Sequence, residues 1–219
     1  MARCRWAYLL LLLVLAALGV VNGQTSRKPT SPKYHKPQNT EETLFTAMQS
    51  GHVSVQIRST GASSGDSILL TVTKTEAAPA GTLSITVPPG TPFVNTSGTG
   101  QSMVVSGVHG RAIDERRYFP GSEILLTDAT PYTYILTSYC AEFHKDNPSP
   151  YSRFSVGQPD PTIACILSEA QRQGLDMRAT QAAVWIHTDR VSYEDLQRKF
   201  PVDFSEWTAA TSVASACGG

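Results

Sequence analysis

The apolar and polar positions divide the chain into a β-patterned half and a helix-patterned half. Between about Gly51 and Tyr139, short runs rich in β-branched residues alternate with turn residues: HVSVQIRS (52–59), SILLTVTKT (67–75), TLSITVP (82–88), MVVSGV (103–108), EILLT (123–127) and YTYILTSY (132–139). Several put an apolar side chain at every second position, the period that turns one face of a strand to a core and the other to water. Breaks such as TGASSGD and PPGTP separate them. Six or seven short strands at this spacing predict an antiparallel β-sandwich, or a partly open barrel, over residues 42–139.

After Cys140 the apolar period lengthens. Asp160 before Pro161 makes a cap and a first-turn proline, and Ile163, Ile166, Leu167 and Ala170 follow at helical spacing until Gly174. Asp176 caps a second helix with Ala179, Ala182, Ala183 and Ile186 along one side, on which Gln181 and Trp185 are neighbours one turn apart. Ser192 with Asp195 forms a capping box that Val191 can staple onto Leu196, and Asp203 with Glu206 repeats it before Trp207, Ala210, Ala214 and Cys217. Three or four helices over residues 140–219 are expected to share a core with the strands, an α+β fold.

The termini change the picture of where the chain works. Arg3 and Arg5 precede an apolar run from Trp6 to Val21, and Val21-Asn22-Gly23 suits signal peptidase, so residues 1–23 read as a secretory signal with Gln24 the first mature residue. An uncleaved anchor is the alternative. Residues 24–41 open with a basic, proline-containing arm that has no apolar face and cannot offset the entropy of ordering it. The tail TSVASACGG has no hydrophobic segment for a lipid anchor. A secreted, extracellular protein without a membrane span after signal removal is expected. The formally neutral chain becomes slightly acidic once Arg3 and Arg5 leave, which gives nucleic acid no support as a partner. An extracellular protein or matrix surface is the expected partner. Asn95 in Asn-Thr-Ser is an N-glycosylation acceptor placed in the loop after Phe93.

Cys4 departs with the signal, which leaves Cys140, Cys165 and Cys217. An odd number in an oxidising compartment allows one bridge and one sulfur with another fate. Cys140 bridged to Cys165 or Cys217 is one arrangement. Another makes Cys140 a hydrolase nucleophile with His144 or His187 as base and Asp146 or Asp189 as orienter, although five histidines offer many such sets. No metal site is expected, since His144, Asp146 and His187 lack the close spacing that preorganises ligands. GTPFVNTSGTG lacks the lysine of a phosphate loop, and no cofactor motif is present.

The segment Thr180-Gln181-Ala182-Ala183, with Trp185 after it, resembles the Thr-Gln-X-Ala helix motif of the thioester domains of Gram-positive surface adhesins. Cys140 follows Tyr139 at the end of a predicted strand, as the partner cysteine of those domains follows an aromatic residue. The resemblance spans about residues 132–200. It implies that the Cys140 sulfur displaces ammonia from the Gln181 side chain, that the thioester bonds covalently to an amine on a target, and that Cys165 and Cys217 are left to bridge the terminal helices. Tyr139, Phe143 and Trp185 are then candidates for an apolar lid, and His187 or His144 for the base that assists the amine. That family usually separates the two residues by a long insertion, whereas here Cys140 and Gln181 stand 41 positions apart. The bland alternative is a structural module stapled by a disulfide, with Gln181 a polar strut.

Overall fold

Six predicted strands and four helix starts appear where the patterning puts them, and further elements join them. A computed structural model describes residues 39–98, 100–114 and 117–218; the signal and most of the basic arm lie outside them. Residues Lys36–Gly219 form one compact unit. In chain order it comprises β1 (Thr40–Thr43), α1 (Leu44–Gln49), β2 (Val53–Ser59), β3 (Ser64–Lys74), β4 (Leu83–Thr86), β5 (Thr91–Asn95), β6 (Met103–Ala112), β7 (Tyr118–Pro120), β8 (Ile124–Leu126), β9 (Tyr132–Cys140), β10 (Phe154–Val156), α2 (Pro161–Gln173), α3 (Met177–Asp189), α4 (Tyr193–Lys199) and α5 (Phe204–Ala216).

The strands do not make the expected sandwich. Seven of them form one antiparallel, near-closed sheet in the order β10-β5-β6-β9-β3-β2, with β7 added to β6, and β1-β4-β8 form a second, smaller sheet in which β1 runs parallel to β4. The sheets are barrel-like. Register shifts interrupt the long strands between Asp66 and Ile68, between Val105 and Gly107 and between Val108 and Gly110. Each irregularity adds twist and bends its strand, so the sheet curls toward closure, nearer the partly open barrel than two stacked layers. The strand and helix arithmetic is corrected in the same way. β5, β7 and β10 lie outside the runs that the period picks out, and α1, six residues long, is set by Thr43, whose hydroxyl accepts from the Thr46 N–H at 3.1 Å. Thr40 and Glu41, assigned to the mobile arm, are the first residues of β1.

The four C-terminal helices begin at their expected caps. Asp160 accepts from the backbone N–H of Thr162 and Ile163 at 2.8 and 3.0 Å, and both capping boxes are complete. One continuous core runs from the sheets, through residues such as Ile68, Leu70, Phe93 and Leu136, to Ile166, Val184, Leu196 and Val213 of the helices. The sulfurs of Cys165 on α2 and Cys217 at the end of α5 are bonded, with Cα atoms 5.7 Å apart. Among the described residues no helix is long and apolar enough to cross a membrane.

Gly90 marks the closest approach of sheet to helix. Its φ is +80°, its N–H donates to Val105 and its carbonyl accepts from Asp160, and a Cβ there would lie 2.5 Å from the Asp160 carbonyl oxygen. Gly90→Ala is expected to cost about 2–4 kcal/mol, from left-handed strain and the clash together. Gly51→Ala has similar φ and open space around it, so it should lose only the strain, about 1–2 kcal/mol. Urea unfolding of the two variants reads the difference.

Candidate functional site

The strand β9 is flanked on one side by β6 and on the other by β3, and it outlasts β3: Tyr139 is opposite Ser64, the first residue of β3, and Cys140 is opposite Met103 of β6. The backbone of Cys140 therefore emerges at the sheet's end with hydrogen-bonding groups to satisfy in the core. The Gln181 side chain meets them. Its Oε1 accepts from the Cys140 N–H at 2.9 Å, and its Nε2 donates to the Cys140 carbonyl at 2.8 Å. The same N–H also reaches the Ser63 carbonyl at 3.0 Å. Both residues are fully buried. In effect the carboxamide extends the ladder where β3 has ended.

The helix that delivers Gln181 was expected to bury one side. Instead every residue from Ala179 to Trp185 is buried. The helix lies against β9, α2 and α5, and its alanines let it approach that closely. Asp176 fixes its start, its carboxylate accepting from the Ala179 N–H at 2.8 Å and its carbonyl from the Thr180 hydroxyl at 2.7 Å.

Around the pair, polarity is scarce. The Cys140 thiol donates to the Met103 thioether at 3.6 Å. Burial pushes the thiol up from 9.0 to about 12, against a weaker opposing pull from the Lys199 ammonium. Phe143 packs edge-on to Trp185 at 5.1 Å, and Trp185 edge-on to Phe200 at the same distance. The loop carrying Phe143 is pinned from both sides, since its N–H donates to the Asp189 carboxylate at 3.1 Å and its carbonyl accepts from the Lys199 ammonium. Phe143 and Trp185, two of the three lid candidates, thus stand together. Tyr139 faces the other way, as strand alternation requires, and borders a separate groove with Thr180 and His109. A groove of about 330 Å³ opens beside Trp185, between Ser63, Gln101 and Lys199.

The two candidate bases stand apart from the pair. His144 is exposed, its ring edge-on to Phe143 at 5.2 Å, and His187 is half-buried in the last turn of α3. Among the described residues neither ring hydrogen-bonds to Cys140 or Gln181. Asp189 is occupied by Phe143 and Thr188, and Asp146 is exposed. The Cys140 sulfur is fully buried and burial favours its protonated form, whereas hydrolase nucleophiles are kept ionised and accessible. Among the described residues no group of three or more His, Cys, Asp or Glu could hold a metal ion. Asn95 is the last residue of β5, not a loop residue, and its side-chain N–H groups reach the Gln101 carbonyl and the Ser152 hydroxyl at 3.3 and 3.4 Å.

Gln101 and Lys199 were not foreseen. Gln101 is buried, and its carboxamide accepts from the Glu142 N–H and donates to the Lys145 carbonyl, so it orders the loop after Cys140. The indole N–H of Trp185 is buried with no acceptor. Comparison of the chain with protein-family models, with curated proteins and with solved structures found no match.

Replacing Gln181 by Ala removes the donor that meets the buried Cys140 carbonyl and leaves a cavity, an expected loss of about 2–4 kcal/mol in thermal or urea unfolding. In that variant Cys140 keeps a free thiol. A folded thiol that holds its proton to a higher pH than the unfolded one contributes stability at neutral pH that is lost as the pH rises from about 9 toward 12. Adding Cys140→Ala should flatten the stability-against-pH curve in that interval.

Proposed function

We propose that the chain is an exported extracellular binding or matrix protein, not a turnover enzyme, in which Cys140 and Gln181 form an internal thioester that captures one amine from a target surface. The observation that carries this reading is the docking of the Gln181 carboxamide on the backbone of Cys140 itself, inside a core that excludes water. In the forming step the Cys140 sulfur attacks the Gln181 carbonyl carbon, and the charge that develops on Oε1 is met by the Cys140 N–H. The C–N bond breaks, and the thiol proton leaves with Nε2 as ammonia. In the capture step an amine nitrogen attacks the same carbon, the C–S bond breaks, and the amine's proton returns to sulfur. Gln181 ends as a substituted amide and Cys140 as a thiol, so each molecule reacts once.

Two further features support it. The Cys165–Cys217 bridge occupies both of these sulfurs, which leaves Cys140 the free cysteine among the described residues. Phe143 and Trp185, packed edge-on and buried, would serve as the cover, and the groove beside Trp185 offers an amine a way in.

The competing reading is a structural one. Both polar atoms of the carboxamide are satisfied by Cys140, which is what a permanent strut would require. Intact mass of the secreted protein separates the two. Loss of ammonia, about 17 Da, beyond one disulfide is expected for the wild type and not for Cys140→Ala or Gln181→Ala, and methylamine should add to the wild type alone. A mass equal to the amide form, with one alkylatable thiol after denaturation, would leave the strut.

A further inference from the structure

A second site lies away from the Cys140–Gln181 pair, where the β6–β7 hairpin meets the start of β9. A groove of about 510 Å³ is bordered by Arg58 of β2, Leu69 of β3, Tyr132 of β9 and the β6–β7 hairpin with Arg111 and Phe119. The Arg111 guanidinium sits 5.3 Å from the centre of the Tyr132 ring and 5.8 Å from that of Phe119. These stacks hold a charge in place without neutralising it. Among the described residues the arginines paired with carboxylates are Arg117, Arg172, Arg178 and Arg198; Arg58 and Arg111 are not. Asp114 at the rim is matched by Arg117 at 2.6 Å. Phe119, 59% exposed, offers a bare aromatic face.

We infer that this groove binds an anionic glycan, with sulfate or carboxylate groups on Arg58 and Arg111 and a sugar ring on Phe119. The size suits one or two rings. A second groove of about 220 Å³ shares Arg111 and Phe119 and continues past Leu125 to Glu123, so the surface takes a chain better than a compact ion, and Glu123 confines the anion to the arginine end. The floor argues against a peptide. Leu69 is laddered to both Arg58 and Ile135, and Arg111 to Tyr134, so an extended peptide laid over β3 and β9 finds no partner there for its own N–H and C=O groups. Recognition has to come from side chains, and planar forks beside an aromatic face grip sulfated or carboxylated rings. This site stands independently of the thioester.

The test is calorimetric titration of the full mature chain with a fully sulfated glucosamine–uronate disaccharide, repeated with its unsulfated counterpart and with an oligoglutamate peptide. Saturable binding of the sulfated sugar that weakens with salt is expected, with Arg111→Gln and Arg58→Gln each weakening it at least about tenfold. Arg153→Gln, an exposed arginine elsewhere, should leave it unchanged. Arg58→Gln alters an exposed side chain and covers the case in which Arg111→Gln disturbs the hairpin. Absence of saturable binding, equal binding of the unsulfated sugar, or binding indifferent to both arginine variants would overturn the assignment. Tighter, arginine-dependent binding of oligoglutamate would also overturn it and make the groove an acidic-protein site.

Discussion

A sheet that stops inside a protein must do something with the backbone groups of its last residue, and here that obligation organises the molecule. Cys140 ends the central strand β9 one residue past the start of its neighbour, and its N–H and carbonyl are met by a side chain from a helix that arrives 41 positions later. For that to happen α3 must lie close and in one rotational register. Its alanines allow the first condition and the Asp176 cap sets the second, since a shift of one residue along a helix swings a side chain by about 100°. The bulged, curled sheet supplies the surface into which the helix sinks. The continuous core from strands to helices follows from this joint.

The same joint decides what chemistry the sulfur can carry. A nucleophile meant for repeated turnover is usually kept ionised by a nearby cation or imidazole and left open to substrate. Cys140 has the opposite surroundings: it is fully buried, its thiol donates to a thioether, and burial holds it in the protonated form. On the proposed reading, such a sulfur makes one bond during or after folding and is then protected. The Asp189 and Lys199 contacts that pin Phe143 from both sides bear on the same point, because they hold the aromatic cover in place.

Much of this was legible in the residues, for identifiable reasons. The six strands β2, β3, β4, β6, β8 and β9 lie in runs with a period of two, and the four C-terminal helices carry caps whose partners lie three residues away, so both are written locally. Thr180-Gln181 and Tyr139-Cys140 could be singled out because of a motif resemblance, and the structure brings Gln181 and Cys140 together. What could not be read depends on distant partners. β5, β7 and β10 exist only because another strand offers them a ladder, and the sheet's curl comes from register shifts that have no signature in one strand alone. Gln101 and Lys199 look like ordinary polar residues until the loop after Cys140 closes over them. His144 and His187 drew notice by type, yet neither makes a hydrogen bond to the pair, because the strand end and the helix end carry them elsewhere.

The bridge between Cys165 and Cys217 has a mechanical meaning. It clips the last turn of α5 to α2, an element whose own start is locked to the sheet at Gly90. Tension applied beyond Cys217 therefore passes across the sulfurs into α2 and on to the sheet, and α5 is spared from being peeled off turn by turn. Because α5 packs on α3, the residues that cover Gln181 stay seated while the chain is pulled.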